Sequence, residues 1–145
     1  MLFRSTDEKQ KIIDKVSSCL GLHEFKANND KMDSDNSRLE DRITQSVEEW
    51  LTSLYNADFI VTDSYHGTLF SIILKNNFIC ICNKKRGLDR FNTILDKLDL
   101  TNRMVFEEKE CTDDLIHDAV RYDEVNKRLE EFRQQSLDFL SKNLP

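Results

Sequence analysis

Seven consecutive residues near the middle of the chain have side chains suited to binding an anion and moving a proton. They run Thr62-Asp63-Ser64-Tyr65-His66-Gly67-Thr68. Histidine is the side chain that ordinarily titrates near neutral pH. The glycine beside it lets a ligand come close to backbone N–H groups. His66 and Gly67 therefore predict that any chemistry of this protein takes place at this turn.

The turn is flanked by two apolar segments that predict different secondary structures. Residues 59–61, Phe-Ile-Val, are typical of a buried strand, and the apolar segment after the turn has the length of a helix. The turn then lies at the carboxyl end of a parallel strand and the amino end of a helix, where open α/β sheets bind their ligands. Ser64 or Asp63 is expected to cap the helix.

A second loop of interest follows the next predicted strand. Residues 78–82 are apolar throughout and predict another buried parallel strand, and the loop at residues 83–90 carries four basic residues against one acidic. The charge of this loop alone would favour a turn whose basic side chains are simply solvated. The carboxyl ends of neighbouring parallel strands lie at one edge, however, so this loop is expected beside His66, where it would favour a carboxylate or phosphate. The basic residues are Lys84, Lys85, Arg86 and Arg90.

The first half of the chain predicts the helices that would surround these strands. Ser5 and Glu8 form a capping-box pattern for a helix that Gly21 ends, and residues 22–27 predict a short strand. Residues 28–42 are polar and predict a long loop. Ser46 and Glu49 form a second capping box, for a helix whose buried stripe is expected to contain Val47, Trp50, Leu51 and Leu54.

The second half predicts three further helices and a last strand. A short amphipathic helix begins near Phe91, a strand is expected at residues 103–106, and another helix begins near Asp113. A long charged helix is expected at about 122–143. This alternation of strands and helices predicts the α/β class with a mostly parallel sheet.

Composition and cysteine spacing disfavour several kinds of protein. A formal net charge of −6 argues against a general nucleic-acid binder. The apolar stretches are shorter than the roughly 18 to 20 residues of a membrane span, and the start lacks a signal peptide, so cytoplasmic localisation is expected. Cys80 and Cys82 would point to one face of a strand as buried thiols, and no ligand set predicts a metal site.

The turn also holds the residue types of a serine-hydrolase triad. These are Asp63, Ser64 and His66. Three groups within one tight turn rarely converge on each other, so hydrolase chemistry is disfavoured.

The order of these motifs resembles the carboxyl-terminal half of the polysaccharide pyruvyl transferase family. The resemblance rests on a TDSxHGT turn at residues 62–68 and a KRGLxRF loop at residues 85–91, within a match over about 47–106. It implies a Rossmann-like three-layer domain similar to the second half of a two-domain GT-B glycosyltransferase. Family chains are longer, so it also implies a domain fragment that lacks the amino-terminal, acceptor-binding domain and is inactive alone.

The resemblance implies a reaction and roles for the residues of both loops. The donor would be phosphoenolpyruvate, whose pyruvyl group becomes a ketal on two hydroxyls of a sugar or polysaccharide precursor, without metal or other cofactor. His66 would act as the general acid. The donor-binding residues would be Ser64, Gly67, Thr68, Lys84, Lys85, Arg86 and Arg90.

Two other functions are compatible with the same residues. A GT-B glycosyltransferase could hold the diphosphate of a nucleotide sugar at the same histidine and helix N-terminus, and a preference for nucleotide would identify it. The second function is that of a non-catalytic anion-binding or assembly module. Failure of the complete protein to bind any small anion would favour it. Arg90 could be structural because it precedes the helix at Phe91, and His66 could serve only the turn.

Overall fold

The computed structural model describes residues 6–27, 46–83 and 87–144 of the 145-residue chain. The capping box at Ser5 and the loop at residues 28–42 lie outside the described residues. The helices and strands are, in chain order, α1 (Thr6–Leu20), α2 (Val47–Tyr55), β1 (Phe59–Thr62), α3 (Tyr65–Ile73), β2 (Asn77–Ile81), α4 (Leu88–Lys97), β3 (Met104–Val105), α5 (Asp113–His117) and α6 (Tyr122–Asn143). Short 3-10 helices, Thr101–Arg103 and Glu108–Glu110, flank β3.

The strands of the described residues form one parallel sheet in the order β1-β2-β3. Thr62 pairs with Cys80, and Cys80 pairs with Met104. The carboxyl ends of the strands therefore lie at one edge of the sheet, as the sequence predicted. The last strand is shorter than the predicted segment 103–106, because Arg103 belongs to a 3-10 helix and the backbone bends at Phe106.

Alternate residues of β2 pack on opposite faces of the sheet, as the period of two of a strand requires. Phe78 and Cys80 belong to a core that also contains residues of α2, α3, α4 and α6. Ile79 and Ile81 belong to a second core with residues of α1 and α5. Both faces of the sheet are therefore covered by helices. This three-layer α/β arrangement with a parallel sheet is Rossmann-like and confirms the predicted fold class.

Two local predictions were wrong. Residues 22–27 form no strand: the Leu22 N–H instead donates to Ser17 O at 3.0 Å, beside Gly21 with φ +65°, and this closes the end of α1. Phe25 in the same segment is 69% exposed. Val47 is 68% exposed although it shares the apolar stripe of α2, because the first turn of that helix extends beyond the core that buries Leu54.

The long helix α6 occupies the range predicted for it, but its two halves differ. Val125 is buried, and the Tyr122 hydroxyl donates to Asn76 O at 2.5 Å and to Ser71 O at 3.2 Å. Residues 130–144, in contrast, are all exposed. Within the described part of the chain, no helix combines the length and the apolarity that crossing a bilayer requires.

Candidate functional site

The predicted strand–turn–helix corner is formed by β1 and α3, and two hydroxyl groups shape it. Thr62 Oγ1 accepts a hydrogen bond from the Ser64 N–H at 3.1 Å. Ser64 is the N-cap of α3, with φ −90° and ψ 132°, and its Oγ accepts from the Gly67 N–H at 3.3 Å. The cap expected at Ser64 or Asp63 is therefore Ser64.

Gly67 lies where the start of α3 packs against the end of β1. A Cβ at this position would collide with Thr62 Oγ1 and lie 3.2 Å from Thr62 Cβ. Both distances are tighter than ordinary van der Waals contact. The residue therefore allows the helix to begin close to the strand, a reason that the sequence did not reveal.

The N–H groups of Gly67 and Thr68 are used within the helix itself. Gly67 donates to the Ser64 side chain, and the Thr68 N–H donates to Ser64 O at 2.9 Å. The first N–H groups of an α-helix have no intrahelical acceptor. In α3 those positions belong to Tyr65 and His66, so these are the backbone donors that the helix start offers to an anion.

The side chain of Thr68 faces the core beneath the corner rather than solvent. It is fully buried, and its Oγ1 donates to Ser64 O at 3.1 Å and lies 3.3 Å from Cys80 Sγ. Cys80 Sγ is in turn 3.5 Å from Cys82 Sγ. The hydrogen bond with Cys82, together with burial, raises the pKa of the Cys80 thiol. These cysteines are buried packing groups, as their spacing predicted.

His66 is exposed on the first turn of α3, at the carboxyl end of β1. The ring of the neighbouring Tyr65 lies 6.0 Å away, centroid to centroid, in an edge-to-face arrangement. An imidazole in this place can meet a ligand that approaches the carboxyl edge of the sheet. Among the described residues, no group of three or more His, Cys, Asp or Glu is arranged to hold a metal ion.

Tyr65 connects the corner to the start of α4 through contacts with Phe91 and Arg90. The Tyr65 ring packs edge-to-face on Phe91, with centroids 5.6 Å apart, and the Arg90 guanidinium lies 5.3 Å from the Tyr65 ring centroid. Arg90 is thus at the corner, and its contact with Tyr65 is also compatible with a structural role. Lys84, Lys85 and Arg86 lie outside the described residues.

The structure adds a charged pair that the sequence prediction missed. Lys9 of α1 donates through Nζ to the carboxylate of Asp63, 54 positions away in the chain. The side chains are 38% and 51% exposed, respectively. Lys9 is one turn before Ile12 on the face that α1 buries, and this spacing was the available signal that Lys9 would lie near the sheet.

The chain matches a known protein family. A family model described as polysaccharide pyruvyl transferase matches residues 4–84, more than half of the chain. The matched region contains α1, α2, β1, α3 and β2, and therefore both Lys9 and His66. It begins earlier than the predicted resemblance over 47–106 and ends before Arg86 and Arg90. No curated protein and no solved structure matches the chain.

Proposed function

The chain belongs to the polysaccharide pyruvyl transferase family, and we propose that this domain binds phosphoenolpyruvate at the His66 corner for transfer of its pyruvyl group to a sugar. The observation that carries the proposal is the exposed His66 on the first turn of α3, at the carboxyl end of a parallel strand. In an open α/β sheet this is the edge where ligands bind.

Phosphoenolpyruvate carries a phosphate and a carboxylate, and the corner offers donors suited to both. The free N–H groups at the start of α3 and the positive end of its dipole favour an anion. The Arg90 guanidinium, 5.3 Å from the Tyr65 ring, adds a cation beside them. Lys84, Lys85 and Arg86 are assigned to the same role on the basis of the sequence alone.

His66 is the proposed general acid of the transfer. One sugar hydroxyl attacks the central carbon while a proton is added to the methylene carbon, and phosphate leaves with the electrons of its C–O bond. The second hydroxyl then attacks the same carbon and closes the ketal. Of the two protons lost by the hydroxyls, one restores the acid and the other leaves with phosphate. An imidazolium is suited to donating the first proton at neutral pH.

The acceptor in this proposal is a sugar or polysaccharide precursor held by residues outside this domain. The corner itself is assigned to the donor, since its described contacts suit a small anion. Because phosphoenolpyruvate is a metabolite of the cytoplasm, we place the reaction there.

Calorimetric titration of the 145-residue chain with phosphoenolpyruvate, inorganic phosphate and a set of nucleotide sugars tests the proposal. We expect saturable binding of phosphoenolpyruvate in preference to the others. His66→Ala and Arg86→Ala should each raise Kd by about tenfold, the effect of losing one hydrogen bond to a charged group. His23→Ala is the matched control, because His23 is exposed on the segment after α1 and should bind as wild type does.

Two results would count against this assignment. A preference for a nucleotide sugar would favour a glycosyltransferase, because the same helix start could hold a diphosphate. Failure to bind any of these anions would favour a non-catalytic module and refute donor binding by this domain.

A further inference from the structure

We infer that Lys9 is a donor-binding residue of the corner, held in place by Asp63. The inference rests on the proposed function, because the anion that Lys9 would contact is phosphoenolpyruvate. Lys9 lies on α1, far from the corner in the chain, and its Nζ reaches the carboxylate that directly follows β1.

The position of Asp63 is the first reason for this role. Asp63 directly precedes Ser64, the N-cap of α3, so a negative charge follows β1 at the edge of the sheet that would bind the anion. A lone carboxylate there would repel a phosphate. The ammonium of Lys9 cancels that charge and places a cation at the same edge of the sheet.

Lys9 also has donors and space for a ligand. An ammonium has three N–H donors, and the hydrogen bond to Asp63 engages one of them. The Lys9 side chain is 38% exposed, so an anion in solvent can reach it. A short movement of its flexible stem would let Nζ bridge Asp63 and a phosphate oxygen.

A purely structural role is a weaker account of the pair. Exposed ion pairs of this kind contribute little to stability. Helix α1 is already anchored by Ile12 and Val16, which are 1% and 4% exposed in the core on that face of the sheet. The contact with Asp63 is therefore not needed to hold the helix against the sheet.

Titration of the 145-residue chain with phosphoenolpyruvate at low and high salt, using Lys9→Met and Lys11→Met, tests the inference. Lys11 is the matched control, because it is on the same helix and pairs with Glu8 at 3.4 Å. We expect Lys9→Met to raise Kd about tenfold and to weaken its salt dependence, since one cation has left the site. Lys11→Met should leave both quantities unchanged.

The same titrations in an Asp63→Asn background separate contact with the ligand from neutralisation of Asp63. If Lys9 contacts the donor, Lys9→Met still raises Kd when residue 63 is uncharged. If Lys9 only cancels the charge of Asp63, the substitution has no effect in that background, and the inference is overturned.

The outcomes also distinguish the inference from the proposed function. If His66→Ala weakens binding while Lys9→Met behaves like Lys11→Met, the inference fails and the proposed function stands. If the wild-type chain binds no phosphoenolpyruvate, both are overturned.

Discussion

The contact between Gly67 and Thr62 determines how closely α3 can approach β1. Thr62 Oγ1 accepts from the Ser64 N–H and lies where a Cβ on residue 67 would be. Its hydroxyl is attached directly to Cβ and cannot move aside without giving up that hydrogen bond. The shape of the corner therefore depends on the absence of a side chain at residue 67.

We expect Gly67→Ala to lower the free energy of unfolding by about 1–3 kcal/mol, the usual range for overpacking a fitted site. Urea denaturation of the variant and the wild type measures this difference. Thr62→Ala provides the control, because it removes the group that the new methyl would meet. In that background Gly67→Ala should cost less, and an equal cost in both backgrounds would contradict the steric explanation.

Residue types predicted part of the corner and not the rest. A serine before an apolar helical segment indicates a cap, so the role of Ser64 could be foreseen. The pairing of Lys9 with Asp63 depends on how α1 lies against the sheet, and no local pattern connects residues 54 positions apart. The exposure of His66 likewise follows from the packing of α3 rather than from its neighbours in the chain.

At the scale of elements, the phenol of Tyr122 links α6 to the end of α3 and to the turn that follows it. The Tyr122 hydroxyl donates to carbonyl oxygens of Ser71 and Asn76. Burial raises the pKa of Tyr122, and the nearby Arg103 guanidinium opposes part of that shift. The folded protein therefore favours the neutral phenol that makes these hydrogen bonds.

Stability should fall at alkaline pH partly because of this phenol. The pKa of Tyr122 is raised above its ordinary value of about 10. Its contribution to stability is thus fully present below about pH 10 and is lost as the pH rises further. Urea denaturation from pH 7 to 11 should show a steeper loss for wild type than for Tyr122→Phe.

The same variant has a second expected effect at neutral pH. Loss of the hydroxyl removes the donor 2.5 Å from Asn76 O, whereas Ser71 O still accepts from the Asn76 N–H, and we expect a cost of about 1–3 kcal/mol. The two proteins share every other titratable group, so the difference between them isolates the phenol. Identical alkaline slopes would mean that another group causes the loss.

Elements with a distinctive sequence pattern were predicted better than weakly patterned segments. The strand near residues 78–82 was found from its unbroken apolar run, and α6 from its long charged segment. Residues 22–27 have the composition of a weak strand, but their first backbone N–H completes the end of α1. Val47 has the right residue type for a buried stripe, yet its burial depends on how far the core extends along α2.

At the scale of the whole molecule, β2 is the most enclosed element described. It is paired on both sides by parallel strands, and helices cover both faces of the sheet. Its residues from Phe78 to Cys80 are fully buried. Opening β2 to solvent therefore requires separation of both cores.

Native-state hydrogen exchange should show this directly. Amides of Ile79, Cys80 and Ile81 are expected to exchange most slowly, at rates that approach global unfolding. Amides in residues 130–144 should exchange much faster, because that half of α6 is exposed. Faster exchange in β2 than in α4 would show that the sheet opens before its helices do.

The fold class was predictable because a parallel sheet covered on both faces requires continuous apolar strands. The position of the site was predictable for a related reason, since parallel strands end at one edge. The contribution of α1 to that edge was not predictable, because helices that cover a sheet can lie over any strand. The pattern of apolar residues thus predicted the arrangement of the layers. It did not predict the side-chain contacts between the helices and the sheet.

Because the sheet is buried, the reactivity of the cysteine thiols also reports whether the protein is folded. Cys80, Cys82 and Cys111 are at most 1% exposed, whereas Cys19 is partly accessible. A bulky thiol reagent should consume one equivalent from the native chain and four after denaturation. Three sulfhydryls of each folded molecule are therefore protected from the reagent. A colorimetric count of reactive sulfhydryls would report the unfolded fraction without any added label.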